Sequence, residues 1–299
     1  MQASRRAFRG LKPALGGASA AVILALSLAP AALAAQPGSD IYLVTRSGAG
    51  WSAPLNVTAR PGYDNQPSFT PDGRSILFTS VREDGQADVY CYDLAERRTV
   101  RLTSTPESEY SPTVMPGGAT FSVVRVERDS TQRLWRFDLD GTTPALVLER
   151  VQPVGYHAWV DEHNVALFVL GEPATLQVAS TRSGRADTIA GDIGRSIHPV
   201  PGRYAVSFVH RIEDGAWISV LDLDTGRVTR VAQPLEGNEF YAWTPDGDLV
   251  MGQGAKLYRH APAAWEEIAD FGPEGLEGIS RLAVSPDGSM LALVAEDGM

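Results

Sequence analysis

Short runs of alternating apolar and polar residues repeat along nearly the whole chain, each closed by a turn signal. Residues 65–104 show the unit. "NQPSFT" alternates as a strand does, "PDG" interrupts it, and "RSILFTS" follows as a second strand. After the polar loop "VREDGQ", "ADVYCYD" and "RTVRLTS" supply a third and a fourth strand. A period of two sends successive side chains to opposite faces, and Val, Ile, Tyr, Phe and Thr suit a pleated, half-buried surface. Pro71 fixes φ for a type I turn, and Gly73 can take the left-handed conformation that matches strand twist. The third strand recurs as "RLWRFDLDG" (133–141) and "WISVLDLDTG" (217–226). No long stretch has helical periodicity, so helix is expected to be scarce.

The turn serves as a ruler. Clear copies carry Pro71, Pro245 and Pro286; weaker ones carry Pro116 and Pro201, and Asp161 stands where a further proline would fall. Successive spacings are 45, 45, 40, 44 and 41 residues. Four short strands per period of about 40–45 residues mark a β-propeller. The last unit, from Ser280, has room for two strands before Met299, and residues 40–58 read as a third and fourth strand with no first or second. Joined, they complete one blade. The expectation is an all-β, six-bladed β-propeller of four-stranded blades over residues 36–299, with one blade closed by N- and C-terminal strands. Such closure pairs open edges and is what a complete chain would show.

"QPSFTPDGRSILFTS" followed by "DVYCYDLAERRTVRLT" resembles the WD-repeat-like units of the TolB-like six-bladed β-propellers. The resemblance covers about 260 residues and bears on fold far more than on function. It implies the propeller found in TolB, ahead of prolyl-oligopeptidase hydrolases, and in certain lyases. TolB proper carries an α/β domain before its propeller. Here only a handful of residues precede the first strand, so a TolB-like protein other than TolB itself is expected, and no hydrolase domain follows.

Composition narrows the partners. Residues 1–35 hold Arg5, Arg6, Arg9 and Lys12 and no acid, leaving 22 basic against 36 acidic residues in 36–299, a net charge of −14. A surface so negative repels phosphate backbones, so no nucleic-acid partner is expected. The basic start, apolar middle and "ALA" end (32–34) of residues 1–35 form a secretory signal peptide. "SRRAFRGLK" (4–12) resembles the twin-arginine type. The expected location is periplasmic or secreted, with no stable membrane insertion after cleavage. Cys91 is the single cysteine, so no intramolecular disulfide or thiolate cluster is available, and it reads as a small strand residue.

Catalytic motifs are missing. There is no G-x-S-x-G, no H-E-x-x-H, no phosphate loop and no G-x-G-x-x-G after a strand, and "GRSIH" (194–198) lacks the second glycine of a nucleophile elbow. "EDG" (83–85) and "DLDTG" (222–226) read as hairpin turns rather than calcium loops. What remains is the mouth of the central channel, where "YDNQ", "SEYS", "VGYH", "GRSIH", "NEFY" and "EGISR" lead into the innermost strands. The candidate ligand-binding residues there are Asp64, Gln66, Tyr110, Tyr156, His157, Arg195, His198, Glu239, Tyr241 and Arg281, with Glu109 beside them. Aromatic walls with a few charges suit a small polar ligand or a peptide segment. The expected function is therefore an exported, non-catalytic, monomeric propeller that binds a protein or small polar ligand and needs no cofactor. The alternative is an exported lyase or hydrolase acting on an acidic sugar or peptide. It would be metal-dependent if Gln66, His157 and His198 converge on one ion. His163, His210 and His260 receive no role.

Overall fold

The computed structural model describes residues 38–48 and 50–296. The export signal expected over residues 1–35 lies outside them. The strands are short, as the alternating runs require. The chain begins with β1 (Ser39–Ser47), β2 (Gly50–Trp51) and β3 (Leu55–Asn56). Next come β4 (Tyr63–Phe69), β5 (Ser75–Val81), β6 (Ala87–Asp93) and β7 (Arg98–Arg101). They are followed by β8 (Ser108–Val114), β9 (Thr120–Val126), β10 (Gln132–Asp138) and β11 (Ala145–Leu146). The third such set is β12 (Val154–Trp159), β13 (Asn164–Val169), β14 (Thr175–Ser180) and β15 (Arg185–Gly191). The fourth is β16 (Ile193–Pro199), β17 (Ala205–Ile212), β18 (Gly215–Asp222) and β19 (Val228–Ala232). Then follow β20 (Tyr241–Trp243), β21 (Leu249–Gln253), β22 (Lys256–His260) and β23 (Trp265–Asp270), and last β24 (Arg281–Val284) and β25 (Met290–Glu296).

Within each set neighbouring strands pair antiparallel in chain order. The ends of the described chain make the remaining set, in the order β24-β25-β1 with β3 beyond β1. Its central ladder runs from Ser39↔Glu296 to Thr45↔Met290. One parallel bridge, Ser39↔Tyr63, fuses this closing set to β4–β7 as a nine-stranded sheet. The first strands touch in sequence, β4, β8, β12, β16, β20 and β24, and β24 touches β4, so the ring closes. The protein is an all-β propeller.

Alternation along the second strands explains how the sets hold one another. In β9, Phe121 and Val123 face β4–β7, where they pack with Leu77 and Val89. Val124 faces the other way, into a cluster with Trp159, Val165 and Leu167. In β17, Val206 and Phe208 meet Ile197 and Phe168, while Val209 meets Tyr241 and Met251. The closing set does the same: Ile41 and Val294 pack against Phe69 and Phe78, whereas Val44 and Leu293 pack against Leu257 and Phe271. Each fully buried side chain of this size contributes roughly 1.5–3 kcal/mol, so every junction between sets is a core of its own.

The Ser/Thr-Pro-Asp-Gly turn has a local cause. Asp72 Oδ1 accepts from Thr70 Oγ1 at 2.6 Å and from the Arg74 amide at 3.1 Å, and Gly73, at φ 69°, donates to the Thr70 carbonyl at 2.8 Å. The same network holds Ser285, Asp287 and Gly288, and its hydrogen bonds hold the Asp287 carboxyl down at about 2. Where Asp161 replaces the proline, its own carboxylate caps the turn, accepting the His163 and Asn164 amides at 2.7 Å each. The divergent turn is an Asx turn that needs no proline.

Candidate functional site

The first strands surround a central cavity of about 880 Å³. Counting five residues back from each turn position gives one row: Gln66, Ser111, Tyr156, Ser196, Phe240 and Arg281, all of which line it. The far end of the lining is made by the turns, with Pro71, Pro116, Pro201, Pro245 and Pro286.

The row is built under strain on one side. Gln66 and Ser111 have φ of 58° and 54°, although each is a non-glycine residue followed by proline. Side chains there disfavour the left-handed region. The bulges in β4 and β8 put them there. Hydrogen bonds within and between sets hold them: Gln66 Oε1 accepts from Thr79 Oγ1 of its own set and from the Ser111 amide of the next, both at 2.8 Å. Backbone strain sustained in this way gathers at binding sites.

On the other side Arg281 reaches over the cavity. Its Nη2 donates to Tyr156 Oη at 2.8 Å, 125 residues away in sequence. Its guanidinium carbon lies 4.0 Å from the Phe240 ring centroid and 4.9 Å from that of Tyr156. Cation–π contacts of this kind contribute about 0.5–2 kcal/mol each, depending on desolvation. Burial pushes the nearby Tyr63 hydroxyl up to about 12, against the pull of the Arg281 charge.

His157 and Tyr241 also border the cavity, but their polar atoms turn into the neighbouring set. His157 Nε2 lies 2.7 Å from Ser122 Oγ, and that oxygen accepts from Trp159 Nε1 at 2.9 Å. Tyr241 Oη donates to Ser207 Oγ at 2.8 Å, and Trp243 Nε1 donates to that oxygen at 2.8 Å. "HAW" (157–159) and "YAW" (241–243) are thus one device used twice, a tryptophan donor and a second polar ring fastened to a serine of the preceding set. The paired serines and paired tryptophans could have been found by stacking the repeats. His198 Nε2 lies 2.9 Å from Ser196 Oγ, with its ring 4.9 Å from that of Tyr241. Burial pushes the imidazole of His157 down to about 4, and burial with the Arg281 charge does the same to His198.

Asp64, Tyr110 and Glu239 stand apart from the cavity lining. Asp64 is fully buried against Arg60, 3.1 Å away. Glu239 pairs with Arg211 and borders a separate groove with Leu235 and Asn238. Tyr110 packs with the apolar cluster around Val154 and Trp159. Arg195 lines the cavity, is exposed, and has no hydrogen-bond or ion-pair partner among the described residues. Ser111, Ser196 and Phe240 lie in the mouth stretches read from the sequence but not among its candidate ligand-binding residues, and the five-residue offset from the turn is the signal that singles them out.

Glu109, the counterpart of Asp64, is fully buried. Its Oε1 lies 2.5 Å from Thr105 Oγ1 and 3.3 Å from Arg125 Nε. Burial raises its carboxyl to about 7, against those two partners. A carboxyl raised in the folded state leaves stability intact below its ordinary value of 4.5 and lowers stability as pH climbs through 7. Arg125 keeps a second partner, Glu107, at 2.5 Å. Glu109→Gln is therefore expected to stabilise the protein by about 1–3 kcal/mol at pH 8 and by little at pH 4.5. Urea unfolding at the two pH values checks this; a loss of stability at pH 8 would mean that Arg125 keeps the carboxylate charged.

The two Ser–His contacts do not make a nucleophile and base. No carboxylate orients either imidazole among the described residues, and His157 Nδ1 has no partner at all. Of the three side chains weighed for a metal, Gln66 Oε1 already takes two donors, and His157 and His198 each set Nε2 beside a serine hydroxyl. Cys91 is a half-buried free thiol whose pKa burial raises, as an inert strand residue would have.

No protein-family profile matches the chain. The Tol-Pal system protein TolB of Bordetella pertussis is 53% identical over 47 residues, 16% of this chain and 10% of that protein. The matched stretch is thus about a tenth of that relative's length. Among solved structures, a candidate TolB from Agrobacterium tumefaciens superposes with a TM-score of 0.70 at 18% identity, covering 88% of this chain and 99% of that one. TolB from Acinetobacter baumannii superposes with a TM-score of 0.58 at 14% identity, covering 87% of this chain and 64% of that one. The repeated turn, the closed ring and these superpositions agree: the chain has the fold of the TolB-like β-propellers.

Proposed function

We propose that this protein is an exported, non-catalytic β-propeller that binds a protein segment or small polar ligand in its central cavity. The observation that carries the reading is the cavity itself. All first strands contribute to it, and Tyr156, Phe240 and Arg281 form an aromatic and cationic wall within it. Its size is that of a ligand pocket. Among its titratable side chains His157, His198, Tyr241 and Arg281 are hydrogen-bonded to other side chains of the protein, which supports binding over proton transfer or attack. Export is read from residues 1–35. No helix of the described residues is long and apolar enough to cross a membrane.

The test is affinity capture from an envelope extract with the tagged protein, comparing Tyr156→Ala and Phe240→Ala with Ile189→Ser on an exposed outer strand. At least one bound protein or small molecule should fall about tenfold or more with the cavity variants and stay with the control, a change of about 1.4 kcal/mol. Identical capture by all of them, with the fold intact by circular dichroism, removes the cavity as the site.

A further inference from the structure

We propose that the central cavity is a carboxylate site, with Arg281 as the group that takes the anion and Arg195 as a second cation in the same cavity. This deepens the cavity-binding reading and rests on it.

The first observation is an exclusion. Residues 36–299 carry 36 acidic side chains, yet among the described residues not one Asp or Glu lines the cavity, while two arginines do. Acids are present on the approach to the first strands, but three of them are held by arginines outside the cavity. Asp64 is held by Arg60, Glu109 by Arg125 and Glu239 by Arg211. Arg281 and Arg195 alone on these strands have no carboxylate partner among the described residues. A strongly acidic protein thus keeps a positive interior, and low-dielectric walls focus that field on whatever enters.

The second observation is preparation. Arg281 uses one N–H on Tyr156 and rests its plane against Phe240. A guanidinium has five N–H donors in a rigid fork. Four remain, on a side chain already held between rings, so little freedom is lost when a carboxylate docks. The third observation selects among anions. Eight of the lining residues are prolines, Pro67, Pro112 and Pro199 within the strands among them. Proline has no amide hydrogen. The cradle of backbone N–H groups that multiply charged phosphate favours is therefore absent from these positions. A planar, singly charged carboxylate asks only for the fork that is there.

The carboxylate can belong to a free organic acid or to an acidic peptide, and calorimetry on the purified full-length protein separates them. The probes are hippurate against its neutral amide hippuramide, acetyl-Gly-Gly-Glu-amide against its Gln counterpart, and inorganic phosphate. At least one acid should bind, its neutral analogue about tenfold or more weakly, with affinity falling as NaCl is raised. Arg281→Gln should weaken the acid about tenfold and Arg195→Gln about threefold; Arg195 is exposed, so its variant keeps the fold. Hippurate alone binding identifies a free acid, and the Glu peptide alone binding identifies a protein side chain. Absence of binding by both acids overturns the proposal. Equal binding of acid and neutral analogue, or tighter binding of phosphate than of either acid, overturns it too. If Tyr156→Ala and Phe240→Ala abolish partner capture while Arg281→Gln does not and no acid binds, the cavity stands as a binding site and its carboxylate preference falls.

Discussion

Ser207→Ala is expected to lower unfolding free energy by about 2–4 kcal/mol, more than most surface or even small core substitutions in a protein of this kind. The hydroxyl removed is small, but two donors converge on it: Tyr241 Oη and Trp243 Nε1, each at 2.8 Å. Tyr241 is 1% exposed, so water cannot replace the lost acceptor. Each buried donor left unsatisfied costs about 1–3 kcal/mol. Ser122→Ala removes the acceptor of Trp159 and the partner of His157 two junctions away and should cost a similar amount. The two serines fasten different pairs of sets, so the double variant should show the sum of the single losses. Chemical denaturation of the two single variants and the double variant measures this. A loss below about 0.5 kcal/mol for Ser207→Ala would mean that the tyrosine and tryptophan find other acceptors.

Deleting residues 36–47 is expected to abolish a single cooperative unfolding transition. The deletion removes β1, which supplies seven paired positions to β25 and two fully buried residues, Ile41 and Val44, to two different cores. It opens the edge of β25 and cuts the one bridge between the closing set and β4. Two lost core side chains alone amount to about 4 kcal/mol or more, and marginal stability is about 5–15 kcal/mol. An exposed, apolar strand edge then invites association between copies. Circular dichroism on urea titration and size-exclusion chromatography report the two effects. A native-like midpoint in a monomer would show that the ring holds without its closing strand.

Fold and site were legible to different depths, for a physical reason. The turn is local: Thr70, Asp72 and Gly73 settle it among themselves within five residues, so the repeat reads straight from the chain. Asp161 fits the same count because its carboxylate substitutes for the missing proline. The site depends on facing, and facing on the first strands is reset by bulges, as between Asn65 and Ser68 or Tyr110 and Thr113. One extra residue turns the strand over. Gln66, Tyr156, Arg195, His198 and Arg281 were placed beside the cavity by register alone. The partners that draw Asp64 and Glu239 away could not be, because Arg60 comes from the loop before β4 and Arg211 stands where the first repeat has Val81. His157 looked chemical as a histidine; beside Tyr241 in the stacked repeats it is a fastener.

The ladder that closes the ring is antiparallel, and Ser39 and Glu296 face each other at one end of it. Tension applied between those two positions therefore meets the hydrogen bonds one rung at a time, as in a zipper, instead of shearing all seven together. The same junction that resists heat and denaturant as a packed core would yield first to a mechanical pull from the chain ends. A tether at either end alone leaves it unloaded.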